Sequence, residues 1–429
     1  MALSKSSYRG TRDFFPQQMR LRNFIFQKMS EVSELFAYEP YDGPLLEEVE
    51  LYLAKSGEEL INEQIYSFMD RGDRHVAIRP EMTPTLARMV AQIHREVTKP
   101  IRMYAIPNLM RYEKPQRGRL REFWQYNADI FGAGELGEIE IIQLAVAIIK
   151  SFGATSEHFE VLVNDRRFVD LVFEKMLGLG NEATKKLYKL VDAKNKMPAD
   201  KFSAEIRNLT QDEKKAQIFE QFVNLKTPSD IMNFAAHISE EEIKKHVTPL
   251  IELFKKIEKQ NLSEYVKFEP SIVRGLDYYT GIVFEIFDKH PENRRAIAGG
   301  GSYANLLQIF NETPLEGVGI GLGEVPLTDF LTTHKLLPDF SKADVDYLVA
   351  YLAQEGEALA MQVADRLRSQ NKKVELFLGE AKPKKIFTYS EKKNFKHICF
   401  IGEEEAKNQT VKIKDLINKT ETTKSITDL

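Results

Sequence analysis

The 429-residue sequence contains one cysteine, Cys399, which lies in the apolar run HICFIG. A lone cysteine forms neither an intrachain disulfide nor a zinc site built from several thiolates, so both are excluded as sources of stability. We expect Cys399 to be a buried, small hydrophobic side chain. Such sparse use of cysteine is typical of a reducing compartment, and it predicts a cytoplasmic protein.

Long hydrophobic runs are also missing. No apolar segment approaches the roughly 18 residues that a membrane-spanning helix needs, and the N-terminal segment MALSKSSYRGTRDFFP lacks the apolar stretch of a signal peptide. We therefore predict neither membrane insertion nor export. A large excess of one charge is absent as well, because 60 basic and 64 acidic residues give a formal charge of -4. Any contact with nucleic acid must then come from local basic patches.

Hydrophobic periodicity predicts a mixed α/β protein. Apolar residues recur every three or four positions between Pro16 and Glu39, which is typical of an amphipathic helix. From Ile101 to Phe131 the period changes to two, in two runs joined by EKPQRGRLRE, and this pattern indicates a long hairpin. The run that follows, EIEIIQLAVAIIKSF, predicts a largely buried helix.

Changes in composition predict the domain boundaries in a chain long enough for about two to four domains. Residues 165–262 are rich in Lys and Glu with helical periodicity, so we predict a helical insertion that divides one discontinuous domain into residues 1–164 and 263–335. After a linker, LPDFSKAD, alternating strand and helix patterns predict a small, mainly parallel α/β domain over residues 344–420. Residues 421–429 are polar, and a frayed tail is expected there.

The second predicted strand of the hairpin, EFWQYNAD, has one polar face. Because side chains alternate between the faces of a strand, one face carries Phe123, Gln125, Asn127 and Asp129. In the preceding RYE, Arg111 and Glu113 also share a face. An isolated hairpin of this kind is usually a solvated sheet edge. The mixture of charges and an aromatic ring suits, alternatively, a ligand that is anionic, planar and amine-bearing.

Three further stretches carry similar polar groups, and each has a purely structural alternative. RPEMTPT places Glu81 and Thr83 two residues apart, on one side of a strand end or of an ordinary turn. RGLDYYTG brings Arg274, Tyr278 and Tyr279 to the start of a strand, where the arginine and the aspartate can also form a structural ion pair. AGGGSY either lets a ligand lie directly on the backbone of its three glycines or forms a bulge.

The segment GVGIGLGEVPL, residues 317–327, has glycine at every second position and then Glu324. Neither a dinucleotide-binding fingerprint nor a lysine-bearing phosphate loop fits this spacing. The small residues of this segment allow a ligand or a neighbouring strand to pack closely.

Together these segments resemble one enzyme family. MRYEKPQRGRLREFWQYNADIFG resembles motif 2 of class II aminoacyl-tRNA synthetases, in the form found in the histidyl-tRNA synthetase family. RGLDYY and AGGGSY resemble the two histidine-specific signatures of that family, and RPEMT resembles its amino-acid-binding turn. The resemblance covers essentially the whole chain, because the helical insertion, the C-terminal α/β domain and the order of the parts also match.

The resemblance implies an aminoacyl-tRNA ligase that activates L-histidine with ATP and Mg²⁺ and transfers it to tRNA(His). The residues that it assigns to histidine are Glu81, Met82, Thr83, Arg111, Gln125, Asp129, Arg274, Tyr278 and Tyr279. Those that it assigns to ATP are Arg111, Glu113, Arg121 and Phe123. Arg111 and Arg274 are the implied catalytic residues, because a reaction between two anions needs positioning and positive charge more than a general base.

The resemblance also implies what each group contacts. Glu81, Thr83 and Gln125 hold the α-amino group, while Asp129 and Tyr279 recognise the imidazole with Tyr278 beside them. Glu113 binds the adenine amino group and Phe123 the adenine face. The residues expected near the acceptor end of the tRNA are Gln116, Arg117 and Arg119.

The implied fold is of the α/β (α+β) class, a six-stranded antiparallel sheet flanked by helices, with the insertion and a C-terminal α/β domain that binds the tRNA anticodon. A homodimer is implied through YDGPLLEEVELYLAKSGEE, the motif 1 region that contains Pro44. In the C-terminal domain, the candidate phosphate contacts are Lys382, Lys384, Lys385, Lys392, Lys393 and Lys396. An ordinary solvated helix face is the alternative for these lysines.

The sequence departs from the family where an arginine of motif 3 usually contacts ATP. The corresponding run is GLGE, residues 321–324, in which Glu324 takes the place of the arginine. The resemblance thus implies that GVGIGLGEVPL is a strand that enters the motif 3 helix. Residues 302–304, SYA, stand where Arg, Tyr and Asp are usual. We hypothesise that the missing charge comes from Arg121, Arg294 or Arg295.

The missing arginine keeps a second class of function open. A catalytically silent, histidine-binding relative, such as the regulatory subunit of ATP phosphoribosyltransferase, does not need to bind ATP for catalysis. Such relatives typically lack the anticodon-binding domain and the full set of arginines in motif 2 and RGLDYY. This chain has both, which favours the synthetase.

Overall fold

The computed structural model describes residues 3–53, 63–194, 197–273, 279–341, 345–379 and 382–429. Contacts divide the chain into two units, one of Met1–Asp13 with Phe24–Leu337 and one of Phe14–Asn23 with Pro338–Leu429. Among the described residues, no helix combines the length and the hydrophobicity that crossing a membrane requires.

The chain up to Asp165 alternates helices with strands. Its elements are α1 (Pro16–Leu35), β1 (Glu39–Pro40), β2 (Leu46–Glu48), α2 (Glu50–Leu53), β3 (Tyr66–Met69), β4 (His75–Ile78), α3 (Thr83–Ile93), β5 (Ile101–Ala105), β6 (Asn108–Met110), β7 (Glu122–Phe131), α4 (Glu135–Lys150) and β8 (Phe159–Asp165). The predicted N-terminal helix, hairpin and buried helix are confirmed as α1, β5 to β7 and α4. The last six residues of the motif 1 segment lie outside the described residues.

A series of helices follows, as the Lys/Glu-rich composition predicts. These are α5 (Arg166–Asp170), continued by a π-helical turn (Leu171–Met176), α6 (Asn181–Ala193), α7 (Ala199–Thr210), α8 (Glu213–Phe222), α9 (Pro228–Phe234), α10 (Glu240–His246) and α11 (Thr248–Lys259). Buried aromatic side chains, among them Phe168, Phe173, Phe219 and Phe222, form the centre of their shared hydrophobic core. The polar composition of this region therefore describes its surface, while regularly spaced apolar residues fill its interior.

The larger unit is completed by β9 (Val266–Phe268), β10 (Ile282–Asp288), β11 (Ala298–Tyr303), a 3₁₀ turn (Leu307–Phe310), β12 (Gly317–Gly323) and α12 (Glu324–Thr333). In the described part of the chain, these strands and the earlier ones form a nine-stranded sheet. At its centre lie six antiparallel strands in the order β5-β7-β12-β11-β10-β8. The expected antiparallel sheet is thus the centre of a larger one, which β1 and β9 extend by short parallel pairings.

Helices cover one face of the large sheet. The Tyr126 hydroxyl of β7 lies 2.7 Å from the Ser33 hydroxyl of α1, and Trp124 is in ring contact with Phe26 of the same helix. Helix α4, whose inner side chains are fully buried, packs against β7 and β12. Because neighbouring residues of a strand point to opposite faces, the polar side chains of β7 are left on the other face of the sheet.

The smaller unit contains a five-stranded sheet among the residues that the structure describes. Its elements are β13 (Val345–Tyr351), a 3₁₀ turn (Gln354–Gly356), α13 (Glu357–Ser369), β14 (Val374–Leu376), α14 (Pro383–Lys393), β15 (Phe395–Ile401), α15 (Glu403–Asn408), β16 (Thr410–Asp415) and β17 (Thr420–Ser425). Strand β13 pairs parallel with β14 and β15, but β15–β16 and β16–β17 are antiparallel. The prediction of a mainly parallel sheet is wrong for this second half, where α15 is followed by a strand that returns beside β15.

The expected frayed tail is also wrong. Residues 420–425 form β17, which pairs with β16 over its whole length, and a 3₁₀ turn follows over Ile426–Asp428. The polar side chains of this edge strand stay largely exposed, since strand pairing uses the backbone and does not require apolar side chains. Ile426 and Leu429 then pack against the core of the unit.

Cys399 of β15 is fully buried in the same core, as expected, and burial raises the pKa of its thiol to about 12.

Candidate active site

A cavity of about 1280 Å³ lies on the face of the large sheet opposite α1 and α4. Its walls come from β7, β10, β11 and β12, from the turn before α3, and from residues 111–121 between β6 and β7, here called the hairpin loop. Charged side chains of both signs line it, among them Glu81, Arg111, Glu113, Arg119, Asp129, Glu285, Arg294 and Arg295. This mixture suits the anionic, planar and amine-bearing ligand predicted from the sequence.

The predicted alternation along β7 is confirmed. Phe123, Gln125, Asn127 and Asp129 all line the cavity. On the opposite face, Tyr126 and Ala128 are fully buried. The hairpin is therefore a central strand pair of the sheet with its polar face in a cavity, and the alternative of a solvated edge is wrong.

The alternating glycines of β12 lie directly beside this polar row. Gly319 pairs with Asp129, Gly321 with Asn127 and Gly323 with Gln125. A Cβ atom on Gly319 would lie 2.0 Å from Oδ1 of Asp129, so only glycine leaves room for the carboxylate. The segment is thus a strand that ends at α12, as interpreted from the sequence, and its glycines make space for the side chains of β7.

Asp129 is a buried carboxyl group with one strong hydrogen bond. Its side chain is 3% exposed, and the Tyr303 hydroxyl donates a hydrogen bond of 2.6 Å to Oδ1. Burial raises the pKa of Asp129 to about 7, and the bond from Tyr303 partly opposes this shift. A carboxyl group whose pKa lies near 7 can accept a hydrogen bond from an imidazole N–H or share a proton with the ring.

Tyr303 is a site residue that the sequence assignment missed. It is 1% exposed and lines the cavity from β11. The signal was present, because Gly299, Gly301 and Tyr303 share one face of a strand by period two. The tyrosine therefore had to lie on the same face as Gly299 and Gly301 of AGGGSY.

The turn RPEMT lies at the start of α3. Glu81 and Thr83 both line the cavity, but Met82 is fully buried beside Gly43. Arg79 holds the turn by donating from Nη1 to Asp42 and to the Gly43 carbonyl, at 2.8 and 2.7 Å. Of the three residues of this turn that are proposed to contact histidine, Glu81 and Thr83 therefore line the cavity and Met82 does not.

Two predicted site residues, Arg111 and Phe123, lie close together at the base of the hairpin loop. The Arg111 guanidinium lies 5.5 Å from the centre of the Phe123 ring, and Nε donates to the Pro80 carbonyl at 2.9 Å. An arginine and an aromatic ring thus stand side by side at one end of the cavity. This pair can hold an anionic group next to a planar base.

Two loop residues with different predicted ligands form an ion pair with each other. Glu113, proposed for adenine, is bonded by the guanidinium of Arg119, proposed for tRNA, and both line the cavity. Arg117 lies outside the lining, where its Nη1 donates to Glu292 at 3.1 Å and its Nη2 to the Thr333 hydroxyl at 3.3 Å. Arg117 therefore docks the loop tip against α12 and the segment after β10.

Arg121 does not reach the cavity, although it was assigned to ATP. Its Nη1 donates to the Tyr8 hydroxyl at 2.9 Å and its Nε to the Glu113 carbonyl at 3.1 Å. The guanidinium also lies 4.0 Å from the centre of the Tyr112 ring. These contacts make Arg121 a support for the hairpin loop, and its assignment to ATP remains a prediction.

Of the RGLDYY signature, residues 274–279, the structure describes Tyr279. Arg274 and Tyr278 lie outside the described residues, whereas Tyr279 lines the cavity. Their assignments as a catalytic and a histidine-binding residue remain predictions. Tyr279 also packs against the hydrophobic cluster that contains Leu86 and Tyr303.

The acid in the motif 3 position has a partner from the N-terminus. Arg12 donates from Nη1 to Oε1 of Glu324 at 3.2 Å and from Nη2 to Oε2 at 2.7 Å. The Glu324 side chain is 4% exposed, while its neighbours Gly323, Val325 and Pro326 line the cavity. Glu324 is thus buried at the start of α12, and the charge of Arg12 balances that of its carboxylate.

Ser302, where arginine is usual, also has a structural role. Its hydroxyl donates to Glu138 of α4 at 2.7 Å, beside a small void of about 190 Å³. Burial raises the pKa of Glu138, and Arg167, 3.7 Å away, partly opposes the shift. The serine leaves space that a longer side chain would occupy.

Comparisons with known proteins agree with this geometry. A family profile described as Histidyl-tRNA synthetase matches residues 10–323, and one described as Anticodon binding domain matches residues 346–429. A Histidine--tRNA ligase from Leptospira biflexa is 42% identical over 428 residues, which are 99% of this chain and 96% of that protein. A Histidine--tRNA ligase, chloroplastic/mitochondrial, from Arabidopsis thaliana is 36% identical, over 95% of this chain and 82% of the relative.

Solved structures share the fold. A histidyl-tRNA synthetase from Nostoc sp. PCC 7120 superposes with a TM-score of 0.83 at 21% identity, covering 99% of this chain and 97% of that one. An ATP phosphoribosyltransferase regulatory subunit/histidyl-tRNA synthetase from Bacillus halodurans gives a TM-score of 0.79 at 22% identity, covering 94% and 99%. At this level of identity the superpositions support the architecture alone.

Proposed function

Because the chain belongs to the histidyl-tRNA synthetase family, we propose that it is a histidine–tRNA ligase. It activates L-histidine with ATP to histidyl-adenylate and transfers the histidyl group to the 3′ end of tRNA(His). The observation that carries the proposal is one cavity in which Asp129, Gln125 and Glu81 lie together with the Arg111–Phe123 pair. The groups proposed for the amino acid and those suited to a nucleotide thus line the same cavity.

Histidine is held at both of its ends in this proposal. Asp129 and Tyr279 bond the imidazole, and Tyr303 orients the Asp129 carboxylate through its hydroxyl. Glu81, Thr83 and Gln125 hold the α-amino group. A pocket that bonds both ends of the ligand rejects apolar amino acids, because they would leave its buried polar groups unpaired.

ATP binds beside histidine with its base on Phe123. Arg111 contacts both the histidine carboxylate and the α-phosphate, and it lowers the repulsion between these two anions as the carboxylate attacks phosphorus and pyrophosphate leaves. Glu113 accepts a hydrogen bond from the adenine amino group, for which its ion pair with Arg119 must shift. Arg274 is proposed as a second cation at the same reacting groups.

Mg²⁺ is proposed to enter with ATP. In the described ranges, no group of three or more His, Cys, Asp or Glu side chains is arranged to hold a metal ion. Mg²⁺ commonly binds through substrate phosphates, waters and one or two carboxylates, so a protein cage is not required for this fit. When bound, the ion would neutralise phosphate charge.

Two regions are proposed to bind tRNA. Gln116, Arg117 and Arg119 of the hairpin loop approach the acceptor end, and the C-terminal domain binds the anticodon. Two of the candidate lysines in that domain already pair with acids, since Lys393 contacts Glu375 at 2.8 Å and Lys396 contacts Asp346 at 2.9 Å. Phosphate contacts by Lys393 and Lys396 would therefore replace these two ion pairs.

We also propose a homodimer that works in the cytoplasm. In the small sheet β2-β4-β3, Leu46 and Phe68 are 46% and 47% exposed. Leu45 and Met69, their neighbours in the sequence, and Leu53 of α2 are exposed as well. Several exposed apolar side chains in one region are typical of an interaction surface, and these lie in and next to the motif 1 segment.

Histidine-dependent exchange between ATP and pyrophosphate tests the proposal, followed by aminoacylation of tRNA(His). We expect both activities, with Asp129→Asn strongly impaired in the first. Tight binding of histidine without exchange or aminoacylation would contradict the proposal and favour the regulatory alternative.

A further inference from the structure

The position of the missing motif 3 arginine supplies no cation of its own. Glu324 stands there, and both of its carboxylate oxygens are bonded by Arg12. The pair is close to neutral as a unit, so Glu324 does not strongly repel a triphosphate in the adjoining cavity. For the same reason Arg12 is not available to bind one, and another cation must meet the terminal phosphates.

Of the three arginines that the sequence offers for this role, Arg121 is committed elsewhere. Its donors bond the Tyr8 hydroxyl and the Glu113 carbonyl, and its planar group stacks on Tyr112. Its aliphatic part packs against Gly10, where an added Cβ would lie 2.7 Å from the Arg121 Cγ. Arg121 is therefore locked between the N-terminal segment and the hairpin loop.

Arg294 and Arg295 both line the cavity, but their surroundings differ. Arg294 is exposed, whereas Arg295 is partly buried. The side chain of Arg295 passes beneath Gly118 at the tip of the hairpin loop, where a Cβ atom would lie 3.3 Å from the Arg295 Cδ. Gly118 has φ of +70°, and its N–H bonds Asp329 of α12, so the loop tip is itself fixed over Arg295.

The charge of Arg295 also points to an anionic ligand. Burial lowers the pKa of its guanidinium, which means that the surrounding protein stabilises the cation less well than water does. An arginine remains charged under these conditions, so it gains strongly from an anion that enters the cavity. The exposed Arg294 keeps its hydration and gains less.

We propose that Arg295 replaces the missing motif 3 arginine and binds the terminal phosphates of ATP. This inference rests on the proposed use of ATP by the same cavity. With the base on Phe123 and the α-phosphate at Arg111, the triphosphate runs along the hairpin loop from its base to its tip, where Arg295 lies. The guanidinium donates to oxygens of the β- and γ-phosphates and so orients pyrophosphate as the leaving group.

Binding of ATP, ADP and AMP to the full chain, measured by calorimetry, tests the assignment. The wild-type protein should prefer ATP to AMP, and Arg295→Met should weaken ATP binding by about 10- to 100-fold while leaving AMP nearly unchanged. Arg295→Lys should retain part of the preference, because it keeps the charge and loses the planar fork of donors. The matched control is Arg95→Met, which removes an exposed arginine outside the cavity lining.

Three outcomes would overturn the inference: an unchanged preference for ATP in Arg295→Met, a loss carried by Arg294→Met instead, or a wild-type protein that binds ATP no better than AMP. Failure of the proposed function looks different. In that case ATP is still preferred through Arg295, but histidine-dependent pyrophosphate exchange is missing.

Discussion

Arg12 and Glu324, which are 312 positions apart, form a two-pronged ion pair at the N-terminus of α12. The pair ties the N-terminal segment to the helix that follows the glycine-rich strand. It also explains how an acid can stand in a motif that usually contacts ATP, because its charge is already matched within the protein.

Removal of Arg12 should destabilise the fold. Arg12→Ala leaves the Glu324 carboxylate buried without its cation, so the free energy of unfolding in urea should fall by about 3 kcal/mol. The exposed pair Arg207–Glu213 provides the control, and Arg207→Ala should cost less than about 1 kcal/mol. The double variant Arg12→Ala with Glu324→Gln should recover much of the loss; equal losses in Arg12→Ala and the control would count against this account.

The affinity for histidine should depend on pH through Asp129. The pKa of this carboxyl is about 7, raised above its ordinary value by burial, so the carboxylate that accepts the imidazole N–H disappears as the pH falls through 7. Asp129→Asn should raise the KM for histidine about 10- to 100-fold and remove that part of the pH dependence. The measurement is histidine-dependent pyrophosphate exchange between pH 6 and 8.5.

Tyr303→Phe tests the same group from its other side. The hydroxyl of Tyr303 lowers the pKa of Asp129, so its removal should shift the pH profile of the histidine KM upward. Tyr126→Phe is the control, because its hydroxyl bonds Ser33 on the opposite face of the sheet. A profile that moves equally in both variants would show that the shift is not specific to Asp129.

Gly319→Ala should damage the site and the fold together. The new methyl group would lie 2.0 Å from Asp129 Oδ1, so the carboxylate or the strand must move. We expect a loss of about 1 to 3 kcal/mol in the free energy of unfolding and a higher KM for histidine. At Gly299 the nearest atom to an added Cβ is 3.7 Å away, so Gly299→Ala should cost clearly less stability; similar losses at both positions would contradict the steric explanation.

Variants of the hairpin loop should affect the two steps of the reaction, activation of histidine and its transfer to tRNA, differently. Arg117 is outside the cavity lining, so Arg117→Ala should weaken aminoacylation and reduce the salt dependence of tRNA binding by about one unit of slope, without changing pyrophosphate exchange. Arg119→Ala removes a cation from the cavity and leaves the Glu113 carboxylate unbalanced, so repulsion of the triphosphate should raise the KM for ATP and impair both reactions. Parallel losses in both assays for Arg117→Ala would argue against its proposed role.

Charge on the small sheet should break the proposed dimer. Leu46→Glu with Phe68→Glu places acids on an exposed apolar surface, and sedimentation velocity should then report a monomer. Since both side chains are about half exposed within one chain, far-UV circular dichroism should be unchanged. Leu136→Glu, at an exposed position in the first turn of α4, serves as the control and should leave the assembly intact.

The sequence predicts which side chains face the cavity wherever the alternation along a strand determines their direction. Strand period two brought Phe123, Gln125, Asn127 and Asp129 together, and the same rule applied to AGGGSY would have added Tyr303. The rule does not extend to Arg121, which precedes the start of β7 by one residue and whose direction depends on the contacts with Tyr8 and Tyr112.

Contacts between distant segments were not predictable in this way. The partner of Glu324 comes from the N-terminal segment, and no pattern within GVGIGLGEVPL points to Arg12. The C-terminal strand β17 was missed for a different reason. Its side chains are polar and exposed on an edge, so hydrophobic periodicity carries no signal for a strand held by backbone pairing.

The alternation of glycines along β12 limits how the substrate range of this cavity can be altered. Positions 319, 321 and 323 already carry the smallest residue, so every substitution there reduces the space beside β7. A variant designed to accept a bulkier amino acid must therefore gain its volume from side chains that can be shortened, such as Gln125 on β7 or Tyr303 on β11. Libraries that vary β12 should yield only narrower pockets, whereas libraries at these two positions can widen them.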